Sequence, residues 1–154
     1  MRPLLSMLLI LALTAPASAA DWTFEDAGGV PIAYVDNGKA QFQFACRGGD
    51  LAMGFWVRAP HRTVASAASL NLAITPDGGD ASFAQDMPLI HSDGTSMIVR
   101  GPVARAWAGI AQRARTTLRV AYVRKQKALE YFDSTDFAVG GSASAIRQVL
   151  DRCG

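Results

Sequence analysis

The chain has two cysteines, Cys46 and Cys153, and the segment ahead of them decides what they can do. Arg2 supplies a positive charge, Leu4 to Leu13 is apolar apart from Ser6, and Ala17-Ser18-Ala19 is a small-residue cleavage site. That order reads as a secretory leader over residues 1–20, with the mature chain beginning near Ala20 or Asp21. The alternative, an uncleaved anchor, needs about 20 apolar residues, and this stretch is shorter. No cysteine follows the cleavage site to take a lipid, and no second apolar span appears, so the mature protein is expected not to span a membrane. In an oxidising compartment an isolated pair of cysteines points to one disulfide. It closes a loop of about 100 residues, for which chain entropy gives about 4 to 5 kcal/mol. The open alternatives are two buried free thiols or a reactive Cys153. No C-x-x-C redox motif is present.

Residues 21–154 read as one exported domain. Half the residues are apolar and 18% are charged, which suits a packed core and excludes a disordered chain. A net charge of +2 is too small to suggest a nucleic-acid partner. The charge is unevenly placed. From Asp21 to Arg100 nine acids face five bases, whereas from Gly101 onward nine bases face four acids. Such asymmetry orients a protein toward an anionic partner or simply solvates one surface.

The first half has the period of strands. Phe42, Phe44 and Cys46 alternate with Gln41, Gln43 and Ala45, and after the Arg47-Gly48-Gly49-Asp50 turn Leu51, Met53, Phe55 and Val57 resume the pattern. This is a β-hairpin with Cys46 directed at the core. Pro31 to Val35, Leu70 to Ile74, Ser82 to Gln85 and Ser96 to Val99 are further strands. From Pro102 the period becomes helical, with Val103, Trp107, Ile110 and Ala111 on one face. Leu118 to Tyr122, Leu129 to Tyr131 and Phe137 to Val139 return to strands. Ser142 is expected to cap a last helix, in which Ile146, Val149, Leu150 and Cys153 share a stripe. The fold class is α+β: an antiparallel, sandwich-like sheet domain with two helices and one disulfide.

Candidate chemistry is sparse. His91-Ser92-Asp93 invites a hydrolase reading, but a triad converges from separate parts of a fold, and neighbours on one loop point apart. No G-x-S-x-G elbow accompanies it, and Asp93-Gly94-Thr95 is not the D-T-G order of aspartic proteases. Two histidines, His61 and His91, do not make a metal site. The paired glycines lack the following lysine of a phosphate loop, so no cofactor is implied. Neither catalytic nor metal-ligating residues are expected. Two binding candidates remain. Arg115, Arg119, Arg124, Lys125 and Lys127, with Arg113 nearby, form a basic segment able to meet a phosphorylated headgroup, an acidic glycan or an acidic protein, or merely to blunt a sheet edge. Trp56 lies between the inward Phe55 and Val57, so it faces away from the core near Arg58, either to anchor a partner or under a covering helix.

Three stretches carry a family resemblance: F-A-C-R-G-G-D-L from Phe44 to Leu51, S-M-I-V-R-G-P from Ser96 to Pro102, and F-A-V-G-G-S-A-S-A-I-R-Q-V-L-D-R-C from Phe137 to Cys153. In this layout the chain resembles the periplasmic accessory proteins of type VI secretion, and its exported β-rich build is similar to that of invasion-associated locus B proteins. The resemblance implies a non-enzymatic accessory or binding role in a Gram-negative envelope, in the periplasm or secreted, with an envelope protein or an anionic envelope component as partner. It transfers Cys46 and Cys153 as a structural disulfide and no catalytic residue. The rival from another class is a lysozyme-inhibitor-like inhibitor of a secreted hydrolase. A protruding loop at His91 to Ser96 would favour that rival, and a flat patch around Trp56 or Arg119 the accessory role.

Overall fold

A computed structural model describes residues 20–153. The leader reading falls on residues 1–19 and lies outside the described residues. Two antiparallel sheets face each other across one core. The first has six strands in the order β1 (Thr23–Ala27), β2 (Val30–Asp36), β3 (Ala40–Arg47), β4 (Asp50–Val57), β8 (Thr95–Arg100) and β7 (Ile90–His91). The second has four: β10 (Leu129–Ala138), β9 (Thr117–Lys125), β5 (Ser69–Pro76) and β6 (Ser82–Pro88). Helices α2 (Pro102–Arg113) and α3 (Ser142–Leu150) pack together, and α1 (Arg62–Ser66) is a short turn of helix.

The hairpin of β3 and β4 follows from its sequence. Arg47 pairs with Asp50 across Gly48 and Gly49, both at positive φ (58° and 84°), the conformation of a tight two-residue hairpin turn. Strict alternation then sends Phe42, Phe44, Leu51, Met53 and Phe55 inward, all at most 3% exposed. They meet Leu72, Ile74, Leu118, Val120, Tyr122 and Phe137 from the second sheet. The Phe55 and Tyr122 rings lie 5.0 Å apart, and Phe42 stacks near Phe137 at 6.3 Å.

Cys46 and Cys153 are joined, with Cα atoms 5.6 Å apart and a sequence separation of 107. Helix α3 stops at Leu150, so Cys153 is not on its stripe as the spacing suggested; instead a turn, Cys153 N–H to Leu150 C=O, delivers the buried Cys153 to β3.

Four details differ from the sequence reading. Among the described residues there are three helices, since His61 caps the five-residue α1 by accepting the Thr63 N–H on its ring nitrogen. Strand β1 was not read from its sequence, T-F-E-D-A, because it is an exposed edge with no alternation. The two strands expected at Leu129 to Tyr131 and Phe137 to Val139 are one, β10, interrupted by a bulge around Asp133 at φ 53°. Gly141, not Ser142, is the N-cap of α3. Ser142 is the first helical residue, buried, and its hydroxyl donates to the Ala111 carbonyl, locking α3 to α2.

Candidate functional site

The outer face of the six-stranded sheet holds the most developed site. Register places Gln41, Trp56 and Ser96 in one row across β3, β4 and β8, and Gln43, Gly54 and Ile98 in the next. Since side chains on a strand alternate, all six lie on the face away from the core. The helices do not cover it: the buried residues of α2 and α3 (Ala104, Trp107, Ile146 and Val149 among them) belong to the core on the other side. Trp56 is therefore outward and uncovered by either helix.

Trp56 is held rigid. Its indole N–H donates to the Asp93 carbonyl at 2.8 Å. Arg58, two residues on and on the same face, lays its guanidinium 4.4 Å from the ring centroid. Arg58 is itself fixed by a bidentate pair with Asp36. That guanidinium, helped by the Gly38 N–H, holds the Asp36 carboxyl below the usual carboxylate range, and Asp36 in turn raises the pKa of Arg58. One face of the indole is thus closed by Arg58. At i−2 stands Gly54, which has no side chain to close the other.

The consequence is a depression of about 290 Å³ bounded by Trp56, Gln41, Gln43, Ser96 and Ile98, with Gly54 in its floor and Ser92 at the rim. Among the described residues no ionisable side chain lines it. The Gln41 amide donates to the Gln43 carbonyl at 3.0 Å, orienting both amides. Gln43 lies across Gly54: a Cβ there would stand 3.3 Å from Gln43 Cγ. Glycine within a strand commonly marks such a close approach. A second depression, about 120 Å³, shares Gln43, Gly54 and Ile98 with the first and reaches Arg47 and Arg100.

The loop that holds Trp56 does not protrude. Gly94, at φ 105°, lies so close to the Val57 and Arg58 backbone that any side chain would collide with it. His91 Nε2 faces the Ala67 carbonyl at 2.8 Å and must carry the proton. Its Nδ1, 3.0 Å from Thr95 Oγ1, then accepts the threonine hydroxyl. His61, besides capping α1, stacks on Phe132 at 5.3 Å. Among the described residues no cluster of histidines, cysteines and carboxylates could hold a metal.

The basic segment is not brought together. Arg119 and Arg124 are five residues apart on β9, about 17 Å, and an odd spacing puts them on opposite faces. Arg119 is paired bidentately with Asp136 (2.7 and 2.9 Å), and Arg124 with Glu130 at 2.7 Å. Lys125 rests its ammonium 4.7 Å from the Phe83 ring centroid. Lys127 is in the exposed turn after β9. Arg115 is exposed at the other end, where Asp77 accepts its backbone N–H. Sequence reasoning found Trp56 and Arg58 but missed Gln41, Gln43, Gly54 and Ile98. Its one usable signal was a glycine inside an alternating strand, two residues before an outward tryptophan.

No family model matches the chain, and no curated protein matches it. Among solved structures, invasion associated protein B from Bartonella henselae is similar over 88% of this chain and 95% of its own, with a TM-score of 0.57 and 10% identity. At that identity the likeness is one of fold. It supports the resemblance to invasion-associated locus B proteins at that level and adds nothing to the type VI resemblance. The disulfide is compatible with a place outside the cytoplasm. Among the described residues no helix is long and apolar enough to cross a membrane. The chain shares the two-sheet fold of an invasion-associated protein of a bacterium.

Proposed function

We propose that the protein is a non-enzymatic accessory or binding protein of the bacterial envelope, periplasmic or secreted, that binds its partner on the outer face of the six-stranded sheet around Trp56. The observation that carries this reading is the immobilised Trp56 beside a bare Gly54: a large ring with one face closed by Arg58 and the other open. Rigid aromatic side chains are the usual anchors of recognition because little entropy is lost when they are covered. Both histidines are engaged in local structure, which supports a binding role over catalysis. The hydrolase-inhibitor reading is less well supported, since the His91 to Ser96 loop is folded back onto β4.

The test is cross-linking of the mature protein to envelope fractions, comparing wild type with Trp56→Ala and Arg119→Ala. The reading expects an envelope component that is captured by wild type and by Arg119→Ala and lost with Trp56→Ala. Capture of a hydrolase that the protein inhibits, or capture unaffected by Trp56→Ala, would overturn it.

A further inference from the structure

We infer that the Trp56 face takes an acidic saccharide, with a sugar ring stacked on Trp56 and a carboxylate or phosphate of the adjoining unit at Arg100; this rests on the proposed binding role of that face. The first depression has the composition of a site for a neutral polyhydroxylated ring. It presents one flat aromatic wall for the apolar face of the ring. It also presents two amides and two serine hydroxyls, Ser92 and Ser96, which both donate and accept as sugar hydroxyls do. Its volume of about 290 Å³ is at the small end of small-molecule sites, about 300 to 1,000 Å³, and suits one ring. With no charge in the lining, a charged group placed there would be desolvated without compensation.

Charge enters one step further along. Arg100 follows Ile98 on the same face of β8, about 7 Å on, and lines the second depression with Arg47. Both are exposed, and no carboxylate is paired with either among the described ion pairs. This contrasts with Arg58, Arg119, Arg124 and Arg152, each of which has an acidic partner. The face therefore offers a neutral stacking site joined, through Gln43, Gly54 and Ile98, to a cationic one. A proline-rich peptide also stacks on tryptophan, but its grooves are lined by several aromatic rings, and here Trp56 is the one aromatic side chain on the outward face of the cleft.

Calorimetry on the mature protein would test this. Trigalacturonate and the N-acetylglucosamine–N-acetylmuramic acid disaccharide are the acidic probes, maltotriose the neutral one, and a proline-rich peptide the competitor class. Saturable binding of at least one acidic probe is expected, stronger than that of maltotriose and weakened by added salt. Trp56→Ala should weaken it by about thirtyfold or more, as for an aromatic anchor. Gly54→Val, at an ordinary strand conformation, should block the ring site in a folded protein. Arg100→Gln should remove only the preference for the acidic probe. No binding of either acidic probe, equal binding of maltotriose, binding unchanged in Trp56→Ala, or binding of the peptide alone would each overturn the inference. Envelope capture that depends on Trp56 while both acidic probes fail would leave the binding role standing and sink only the saccharide.

Discussion

The hydroxyl of Tyr122, on the four-stranded sheet, reaches across the core to within 3.0 Å of the Thr95 carbonyl oxygen on the six-stranded one, and lies equally close to that of Phe55. This polar tie holds the facing sheets in register at the end of the core beneath Trp56. Burial pushes the phenol pKa strongly upward, because a phenolate there would lose its hydration, and the negative charge of Asp133 adds to the effect. Tyr122→Phe keeps the ring and its packing on Phe55 but leaves two buried acceptors without that donor. The expected cost is about 1 to 2 kcal/mol in denaturant unfolding. In an alkaline spectrophotometric titration the folded wild type should leave this phenol un-ionised until unfolding. An unchanged midpoint for the variant would count against the tie.

Cys153→Ser removes the cross-link between β3 and the residues after α3. The expected loss is about 2 to 5 kcal/mol, chiefly through a less constrained unfolded chain. The helix should stay docked, because Ile146 and Val149 are fully buried and Ser142 is bound to Ala111. Reduced wild type should match the variant in urea midpoint. A variant with its α3 amides in full exchange with solvent would show that the disulfide, rather than packing, holds the helix.

Where the sequence was informative, one local period decided the structure. The alternation of Phe42 to Val57 and the spacing of Ile146 and Val149 each name a buried face without reference to the rest of the chain, so hairpin and helix followed; Cys153, expected on the same helical stripe, is joined to Cys46 from a turn beyond the helix. The parity that buries Phe55 also turned Trp56 outward. Legibility ended where the structure depends on a neighbour. Strand β1 has no buried alternation to reveal it, and β10 is broken by a bulge whose Asp133 carboxylate accepts the distant His61 N–H. The site failed for the same reason. Gln43, Gly54 and Ile98 become a row only once β3, β4 and β8 are paired. The basic residues of β9 are close in sequence, yet the rise of a strand and its alternating faces separate them.

Asp77 predicts an acid-sensitive joint. Its carboxylate accepts backbone N–H groups from Thr116, Arg115 and Thr117, and the Thr116 hydroxyl, gathering the α2–β9 connection around itself. The Thr116 N–H leads in lowering its pKa from 3.8 to about 2. With the folded-state pKa depressed, this stabilisation is complete above pH 3.8 and is lost as pH falls toward 2. Asparagine tolerates the positive φ of 52° and removes the charge while keeping one acceptor oxygen for the Thr116 groups. Asp77→Asn should therefore melt below wild type at neutral pH, with the gap closing between pH 4 and 2. A gap constant over that range would refute the assignment.

Gly94→Ala tests the support of Trp56 from behind. The new Cβ would meet the Val57 carbonyl oxygen at a φ that L side chains rarely adopt. The loop must move, at a cost of about 1 to 3 kcal/mol. Displacement of Asp93 would also free the Trp56 indole N–H. Of the three tryptophans, Trp22 and Trp107 are buried at 6% and 2% exposure, so a red shift in emission would report on Trp56. Loss of stability without that shift would mean that Arg58 alone orients the ring.

Gly54→Ala separates stability from recognition at the same site. Glycine in the middle of a strand is disfavoured by about 0.5 to 1 kcal/mol relative to alanine, and Gly54 has no positive φ to justify it. The alanine Cβ would stand 3.3 Å from Gln43 Cγ, so the glutamine side chain must shift by a few tenths of an ångström. Gln43 is half-buried and borders the open depression, into which it can shift, so the two effects oppose each other. The variant should melt at or slightly above wild type. The methyl group and the displaced amide would both occupy the floor of the depression beside Trp56. Ligand or partner binding on this face should therefore fall while stability holds. A protein that loses neither stability nor binding on Gly54→Ala would show that the bare floor has no part in recognition. A clear fall in melting temperature would place the need for glycine in packing instead.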